Sequence, residues 1–348
     1  MPHVISFEPE LLGSHCFIDV RTPLEFAEDS IPGAFNVPLL SNEERAEIGT
    51  LYKQDGPHPA RIRGLQITAA RFPALVAEIA ALAAGRPTIV YCWRGGLRSK
   101  TVASILDLTG YDVLQLEGGY KAFRNTVTRF FDSFVPPGPL VVLHGHTGTG
   151  KTDLLSILAT RGHAVVDLEG IACHRGSAFG EVGLSQSLTQ KRFETLLWDN
   201  FRKIRPGTPI IVEGESRRIG KVSLPGTLYD VMKESVKIWC TASIETRVKR
   251  LLRDYARIEY REELSGALGR IGKKLGGEKL EEISGYLDRW EMEPFLRELM
   301  VSYYDRTYYR TRDWVEDRSI SLEDYEAAAD EIAKFVTMVV AASGSSRT

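Results

Sequence analysis

The chain has 348 residues, enough for two domains of ordinary size, and its 43% hydrophobic and 26% charged residues are typical of a globular protein. A net charge of −2 excludes overall basicity as a sign of nucleic-acid binding. The N-terminus has no basic segment before an apolar run, no stretch approaches the roughly 20 apolar residues of a membrane span, and the four cysteines form no C-x-x-C pair. We therefore expect a cytoplasmic protein with no membrane association, no disulfide framework and no zinc knuckle.

The first third of the chain alternates short β-branched runs with helical patterns. Strands are predicted at 17–20, 34–37, 87–92 and 112–116, and helices at 70–84 and 99–108. Strands that alternate with helices favour βαβ units and a mostly parallel sheet. We therefore predict an α/β domain over residues 1–132.

A Pro- and Gly-rich stretch at 133–139 is the predicted linker, and residues 140–348 form the second predicted domain. Strands are predicted there at 140–143, 164–168, 209–212 and 236–241. From about residue 244 the pattern is almost wholly helical, and the acidic stretch 313–335 predicts a solvated C-terminal helix. The second domain is thus a parallel α/β domain with a helical C-terminal region.

The segment YCWRGGLRS, residues 91–99, places Cys92 between a buried strand and the start of a helix. Gly95 and Gly96 let the backbone curl, so that successive N–H groups and the helix dipole form an anion-binding nest. Arg94 and Arg98 add full charges. These features favour a thiolate nucleophile that carries a charged adduct.

The segment GHTGTGKT matches G-x-x-x-x-G-K-[ST], with an apolar strand before it and a helical run after it. Its backbone N–H groups would wrap phosphate oxygens, and its lysine would add a positive charge. Its last threonine would ligate Mg²⁺ if the ion is present. The pattern predicts phosphate binding, without establishing ATP hydrolysis, by Gly145, His146, Thr147, Gly148, Thr149, Gly150, Lys151 and Thr152.

Further polar residues are candidates to assist the phosphate site. Asp167 and Glu213 each lie at the end of a predicted strand, where an acid either holds Mg²⁺ through water or simply ends the strand. Arg247 lies on a basic helix after another strand, which resembles the lid helix of small P-loop kinases. Its side chain would either reach phosphate or face water.

Basic and aromatic residues in the C-terminal third are candidates for RNA binding, because backbone contacts need cations and a splayed base needs stacking partners. The alternative is a helix with its tyrosines buried against the P-loop core. The candidates are Lys273, Lys274, Tyr304, Arg306, Tyr308 and Arg310.

Residues 4–125 resemble the rhodanese family through DVRTPLEF (19–26), IPGAFNVP (31–38) and LEGGY (116–120). The resemblance implies an α/β rhodanese-like domain that carries sulfur as a cysteine persulfide. The spacing Cys92-x5-Arg98 is one residue longer than in the common sulfurtransferase loop and matches the related dual-specificity phosphatases. The longer loop implies a bulkier anion and leaves a phosphatase open for this domain alone.

Nearly the whole chain resembles the tRNA 2-selenouridine synthase family. The resemblance rests on the cysteine loop, the P-loop, HRGSAFG (174–180) and EGESRRIG (213–220), in this order, and it adds His174, Arg175 and Arg217 to the candidate residues. It implies that the sulfur of wobble 2-thiouridine in tRNA is geranylated from geranyl diphosphate at the P-loop and then replaced by selenium from selenophosphate at Cys92. No tightly bound cofactor is implied, and an enzyme that produces selenophosphate is an expected partner.

Two other classes of function remain open from the sequence. One is a small-molecule kinase with a regulatory rhodanese module, which would turn over ATP. The other is a non-catalytic nucleotide-sensing or persulfide-relay protein that passes sulfur to a partner.

Overall fold

The computed structural model describes residues 3–184, 188–311 and 314–345. The chain divides into two compact units, one formed by Met1–Asp132 with Glu194–Asp199 and the other by Ser133–Phe193 with Asn200–Thr348. Each unit is built on its own parallel sheet, so the predicted α/β class is confirmed.

The first unit contains a five-stranded parallel sheet in the order β1-β5-β4-β2-β3. Its strands are β1 (His3–Ile5), β2 (Cys16–Asp19), β3 (Phe35–Asn36), β4 (Thr88–Tyr91) and β5 (Val113–Leu116). Its helices are α1 (Pro23–Glu28), α2 (Asn42–Gln54), α3 (Pro57–Thr68), α4 (Phe72–Ala83), α5 (Leu97–Leu108) and α6 (Gly119–Asp132), with 3₁₀ turns at Pro9–Gly13 and Ala69–Arg71.

The central strands β2 and β4 are buried along their whole length, which explains their near-continuous apolar sequences. Helix α1 begins at a capping box in which Thr22 and Glu25 satisfy each other's backbone N–H groups. Helix α4 ends at Ala84 in the left-handed region, immediately before Gly85. β4 is a central strand of the sheet, and Cys92 follows directly after its carboxyl end, as the sequence predicts.

Pro57–Ala83 is long and apolar enough to cross a membrane, by length and composition only. The stretch is weak evidence for a span, because core helices of soluble proteins pass the same test. Leu75, Ile79 and Ala83 on its second half pack into the core of the first unit. The stretch does not indicate a membrane location.

The second unit contains a five-stranded parallel sheet in the order β12-β11-β6-β8-β7 and a small antiparallel hairpin. The strands are β6 (Leu140–Gly145), β7 (Ala164–Val166), β8 (Ile210–Glu213), β9 (Arg218–Ile219), β10 (Val222–Ser223), β11 (Val236–Thr241) and β12 (Arg318–Ser321). Because β6 is central, the loop after it lies between the carboxyl ends of β8 and β11.

The remaining helices follow these strands and make up most of the C-terminal region. They are α7 (Lys151–Thr160), α8 (Leu168–Ala172), α9 (Gln190–Phe201), α10 (Gly226–Glu234), α11 (Ile244–Tyr255), α12 (Arg261–Leu275), α13 (Gly277–Asp288), α14 (Met292–Leu299), α15 (Asp305–Thr311) and α16 (Tyr325–Ser345). A 3₁₀ turn spans Ile258–Tyr260 and a π-helical turn spans Met300–Tyr304.

The prediction for the acidic stretch 313–335 is wrong in two respects. Its middle forms the edge strand β12, which pairs with β11. Its end belongs to α16, which is not merely solvated, because Ala328, Ala329, Ile332 and Val336 are buried against the sheet. The acidic residues occupy the other faces of α16 and conceal this narrow apolar stripe.

Candidate active sites

The cysteine loop lies at the carboxyl end of β4 and leads directly into α5. The Cys92 side chain is only 3% exposed. Its Sγ accepts a hydrogen bond from the Gly96 N–H at 3.3 Å and lies 3.2 Å from the Ser99 Oγ. Two polar groups of the loop therefore converge on the sulfur.

The loop is held from behind by the turn that begins α6. A Cβ atom at Gly119, whose φ is +57°, would lie 2.2 Å from the Cys92 carbonyl oxygen. The Tyr120 N–H donates to this oxygen at 2.9 Å, and the Gln115 Nε2 donates to the Gly95 carbonyl oxygen at 2.7 Å. The predicted glycine turn at Gly95 and Gly96 thus depends on a second one, Gly118–Gly119, which lies 22 to 24 residues later in the sequence.

The two arginines of the loop contribute less free charge than predicted. Arg98 forms a bidentate ion pair with Glu25, in which its two Nη atoms donate to the two carboxylate oxygens at 2.6 and 3.1 Å. Burial alone would raise the pKa of Glu25, but hydrogen bonds from Arg98 and the Thr22 N–H lower it below its usual value. Arg94 is exposed. The predicted pair of free cations at Cys92 is therefore one exposed arginine and one whose charge is balanced.

The P-loop connects β6 to α7 and is packed tightly on both sides. Gly148 and Gly150 have φ values of +80° and +86°. A Cβ atom at Gly148 would lie 3.0 Å from Leu251 of α11, and one at Gly150 would overlap the Tyr325 hydroxyl of α16. The Lys151 Nζ donates to the Gly145 carbonyl oxygen at 3.0 Å, across the mouth of the loop. The eight predicted phosphate-binding residues therefore run from the last residue of β6 through the loop into the first turn of α7.

Two arginines of α11 bind the backbone of the P-loop. The Arg247 side chain is 5% exposed, and its Nε donates to the Thr147 carbonyl oxygen at 2.9 Å. Arg250 donates to the Thr149 carbonyl oxygen. Arg247 therefore does not face water, and its predicted role at the phosphate site stays a prediction.

Asp305 links Arg247 to the P-loop histidine. It accepts from both Nη atoms of Arg247, at 2.9 and 2.6 Å, and its Oδ1 lies 2.8 Å from the His146 Nδ1. Burial would raise the pKa of Asp305, but the hydrogen bonds with His146 and Arg247 lower it to about 2. The carboxylate is therefore ionised at neutral pH and balances the buried Arg247.

We expect Asp305→Ala to destabilise the second unit by about 3 kcal/mol, because it leaves the buried guanidinium of Arg247 without its counter-charge. The loss should appear in urea unfolding monitored at pH 7. Asp305→Asn, which keeps an acceptor oxygen, should lose less. Equal stability of the alanine variant and the parent would show that Arg247 does not depend on this carboxylate.

Three carboxylates surround Lys151 and Thr152, and the sequence pointed to only one of them. The Thr152 Oγ1 donates to Glu169 at 3.2 Å, and the fully buried Glu213 accepts from the Glu169 N–H. Burial and the neighbouring carboxylates raise the pKa of Glu213 well above its usual range. Burial and the charge of Glu169 likewise raise the pKa of Glu215, to about 8. Burial would lower the pKa of Lys151, but Tyr308, Glu169 and Glu215 raise it overall.

Asp167 has a structural task in this arrangement, because it caps the start of α8 by accepting from the Gly170 N–H at 2.7 Å. Within residues 3–184, 188–311 and 314–345, no group of three or more His, Cys, Asp or Glu side chains is arranged to hold a metal ion. Mg²⁺ usually relies on one or two carboxylates together with substrate phosphates. The oxygens of Thr152 and Glu169 fit this pattern better than Asp167 or Glu213, the residues predicted from the sequence.

We expect Glu215→Gln to stabilise the protein increasingly as the pH rises. A carboxyl group whose pKa is about 8 in the folded state and near 4.5 in the unfolded state holds its proton more tightly when folded. Its contribution to stability is complete below pH 4.5 and is lost as the pH rises to about 8. The melting temperature of the variant should therefore exceed that of the parent at pH 8 and approach it at pH 5. Exposed Glu278 on α13 offers a matched Glu→Gln control with no such trend.

His174 and Arg175 lie beside the P-loop, whereas Arg217 is exposed. The His174 ring fits between Gly180 and Gly220, where added Cβ atoms would come within 2.6 and 2.5 Å of it. Burial lowers the pKa of His174. Arg175 donates to the Val182 carbonyl oxygen at 2.7 Å. These two side chains therefore shape the wall of the site.

Two cavities adjoin the P-loop. One, of about 490 Å³, is lined by polar groups that include Lys151, Thr152 and Glu169. The other, of about 590 Å³, is rich in aromatic rings, from His144, Tyr229, Tyr303, Tyr304, Tyr308 and Trp314. Thr147, Gly176, Ser177, Glu215 and Tyr308 line both. A phosphate group and a flat or apolar group would therefore lie side by side here.

Residues 138–338 match the family described as tRNA 2-selenouridine synthase AAA domain, and residues 9–126 match the rhodanese-like domain family. A tRNA 2-selenouridine synthase of Cupriavidus necator is 36% identical over 94% of this chain and 97% of its own length. Proteins of the same name from Cupriavidus pinatubonensis and Nitrosomonas europaea are each 35% identical. They cover 90% and 84% of this chain, and 93% and 87% of their own lengths, respectively.

The chain belongs to the tRNA 2-selenouridine synthase family. It is therefore an enzyme of the transferase class, and the resemblance found from the sequence is confirmed. From the sequence, Cys173 and Gly214 stand where this family is expected to have other polar residues, and the structure explains the glycine but not the cysteine. A Cβ atom at Gly214 would lie 2.2 Å from the His144 Nδ1, and Cys173 ends α8 in the left-handed region.

The candidate RNA-binding residues of this family member separate into buried and exposed groups. Tyr304 is only 8% exposed within the helical core, as the alternative of buried tyrosines predicted, but it also lines the aromatic cavity, so its stacking role stays a prediction. Tyr308 is half-buried and stacks on His146, with ring centres 5.4 Å apart. Arg306, Lys273 and Lys274 are exposed. The side chain of Arg310 lies outside the described residues.

Proposed function

We propose that this chain replaces the sulfur of wobble 2-thiouridine in tRNA by selenium in two steps. In the first, the sulfur takes a geranyl group from geranyl diphosphate. In the second, selenium from selenophosphate displaces the S-geranyl group. The observation that carries the proposal is that one chain of this family holds both a P-loop beside an aromatic cavity and a cysteine whose sulfur accepts a backbone N–H at the start of a helix.

The P-loop unit supports the geranyl step. Backbone N–H groups and Lys151 would bind the diphosphate and stabilise it as it leaves with negative charge. Thr152 and Glu169 would hold Mg²⁺, which adds positive charge at the departing oxygens. The adjoining aromatic cavity would receive the base, whose sulfur then attacks the geranyl carbon next to the diphosphate. The walls that the cavities share support a binding mode in which these two reactants are neighbours.

The cysteine loop supports the selenium step. A thiocarbonyl sulfur is a poor leaving group from a pyrimidine ring, whereas a geranyl thiolate is a better one. Selenophosphate is a tetrahedral anion, and a loop five residues wide between Cys92 and Arg98 suits such an anion better than a bare chalcogen atom. Cys92 is the nucleophile that meets it.

The exposed cations Lys273, Lys274 and Arg306 would contact the tRNA backbone. Binding should therefore weaken steeply as salt rises, which a filter-binding titration with 2-thiouridine tRNA would show. A flat salt response would remove these residues from the interface. An enzyme that makes selenophosphate is a proposed partner, and the cytoplasm, where tRNA is modified, is the proposed location.

The test is mass spectrometry of nucleosides from 2-thiouridine tRNA incubated with the protein, geranyl diphosphate and selenophosphate. We expect S-geranyl-2-thiouridine without selenophosphate and 2-selenouridine with both donors. Unchanged thiouridine with active consumption of ATP would instead support the small-molecule kinase. Rapid hydrolysis of a phosphate monoester at Cys92 would support the phosphatase.

A further inference from the structure

The oxidation states of selenophosphate determine which of its atoms Cys92 can attack. Its selenium is already at the level of selenide, and its phosphorus is fully oxidised. If the Cys92 sulfur bonded to selenium, an electron pair would have to pass to phosphorus or to an external oxidant. If the sulfur bonds to phosphorus, the P–Se bond breaks with its electron pair on selenium, and nothing is oxidised. The selenium of 2-selenouridine is also at the selenide level, so attack at phosphorus needs no further reactant.

We propose that Cys92 attacks the phosphorus of selenophosphate, becomes S-phosphocysteine and releases hydrogen selenide. The sulfur–phosphorus bond forms as the phosphorus–selenium bond breaks, and the departing selenium takes up one proton. Water then cleaves the sulfur–phosphorus bond, giving inorganic phosphate and the Cys92 thiolate. The freed hydrogen selenide displaces the geranyl thiolate from the base. This inference rests on the proposed function, which supplies selenophosphate as the donor.

The loop offers donors for the oxygens of a phosphoryl group. The Gly96 N–H already points at the sulfur, and Leu97 and Arg98 open α5, where backbone N–H groups have no partner within the helix. A phosphoryl group on Cys92 carries three oxygens that such N–H groups would bind. A selenium atom bonded to the sulfur would carry no oxygen atoms for these N–H groups to bind. The donors of the loop therefore suit a phosphorus adduct.

A buried relay from β5 prepares Cys92 to leave again in the hydrolysis step. Gln115 is 6% exposed, and its Nε2 donates to the Gly95 carbonyl oxygen at 2.7 Å and to the Ser99 Oγ at 3.1 Å. The carbonyl group accepts only, so it fixes which end of the Gln115 amide faces the loop. The Ser99 Oγ thus accepts a hydrogen bond from Gln115, and the hydroxyl hydrogen of Ser99 remains for another acceptor.

Two acceptors compete for the Ser99 hydrogen, the Cys92 Sγ and the Gly96 carbonyl oxygen, both at 3.2 Å. A thiolate is the stronger acceptor because it carries a full charge. The hydroxyl therefore turns to the sulfur when the sulfur–phosphorus bond breaks, and it stabilises the departing thiolate. Ser99 acts directly on the reacting sulfur, and Gln115 is a positioning residue that acts through Ser99.

Removal of the Ser99 hydroxyl should slow the hydrolysis of S-phosphocysteine about tenfold, since a hydrogen bond to a charged group is lost. The adduct should then persist long enough to be isolated from Ser99→Ala. Ser99→Thr, which keeps the hydroxyl, should behave like the parent. Gln115→Met should slow hydrolysis in the parent but add little in Ser99→Ala, because the relay is already broken there. If Gln115 had a purely structural role, Gln115→Met would reduce the rate of hydrolysis by the same factor in the parent and in Ser99→Ala.

The deciding experiment mixes the full chain with selenophosphate labelled in phosphorus or in selenium, quenches within one turnover and maps the label by peptide. We expect phosphorus on Cys92 in Ser99→Ala, and selenium free as selenide. Cys92→Ala provides the blank. Selenium on Cys92 without phosphorus overturns the proposal. Release of selenide while neither the parent protein nor Ser99→Ala carries any label also overturns it. This labelling reaction contains no tRNA and no geranyl donor, so it tests the cysteine step separately from tRNA modification. If the protein selenates tRNA in the separate assay but carries selenium on Cys92 here, only this inference is rejected. A protein that neither uses selenophosphate nor modifies tRNA would reject the proposed function itself.

Discussion

We expect Cys92→Ala to abolish selenium insertion while geranylation continues, so that tRNA accumulates S-geranyl-2-thiouridine. Selenation should be reduced about 10³-fold or more, because loss of a nucleophile leaves only binding and background reaction. Geranylation should be unaffected, because the P-loop and its carboxylates belong to the other unit. Nucleoside mass spectrometry with both donors measures the two products together.

Cys16 provides the matched control for this variant. It is another buried cysteine of the same sheet, on β2, and it lies in the apolar core. Cys16→Ala should keep both reactions, apart from a loss of stability from the deleted sulfur. Selenouridine formed at the parent rate by Cys92→Ala would show that selenophosphate reacts without the cysteine loop.

Lys151→Ala should show the opposite pattern, with geranylation reduced about 10³-fold and selenation of supplied S-geranyl tRNA retained. In the proposed geranyl step, this lysine of the polar cavity supplies the positive charge that stabilises the departing diphosphate. Its loss also leaves Glu169 and Glu215 without their nearby cation, which would repel the diphosphate further. The affinity for geranyl diphosphate should therefore fall together with the rate.

Exposed Lys249 on α11 supplies the control, since Lys249→Ala removes one positive charge from a helix beside the P-loop without altering the cavity lining. It should geranylate at the parent rate. If Lys151→Ala and Lys249→Ala gave equal rates, the P-loop would not be the geranyl-diphosphate site.

The sequence predicts the parts of this molecule that depend on local pattern. Buried parallel strands are recognisable as apolar β-branched runs. For example, β11 begins and ends at the predicted residues. The two glycine loops between a strand and a helix are also recognisable, because their patterns of glycine, lysine and cysteine are local in the sequence. These features need only neighbouring residues.

Interactions between distant residues account for what the sequence does not predict. Arg98 meets Glu25, and Arg247 meets Asp305, only after folding brings them together. The sequence shows the charge of an arginine but not its partner, so both residues appeared more available than they are. Glu215 might have been recognised from its place in EGES, two residues after a strand-end acid, whereas nothing near Glu169 marks its approach to Thr152.

The bonds from Arg247 and Arg250 to the P-loop have a consequence for the speed of ligand capture. A peptide group is planar, so a carbonyl held on one side turns the N–H of the next residue to the other. With the Thr147 and Thr149 carbonyl oxygens held by α11, the loop is preorganised by the folding of the chain. Its ordering entropy is lost during folding, and an arriving diphosphate does not lose it again. Association should therefore follow a single concentration-dependent phase, without a slower rearrangement after encounter.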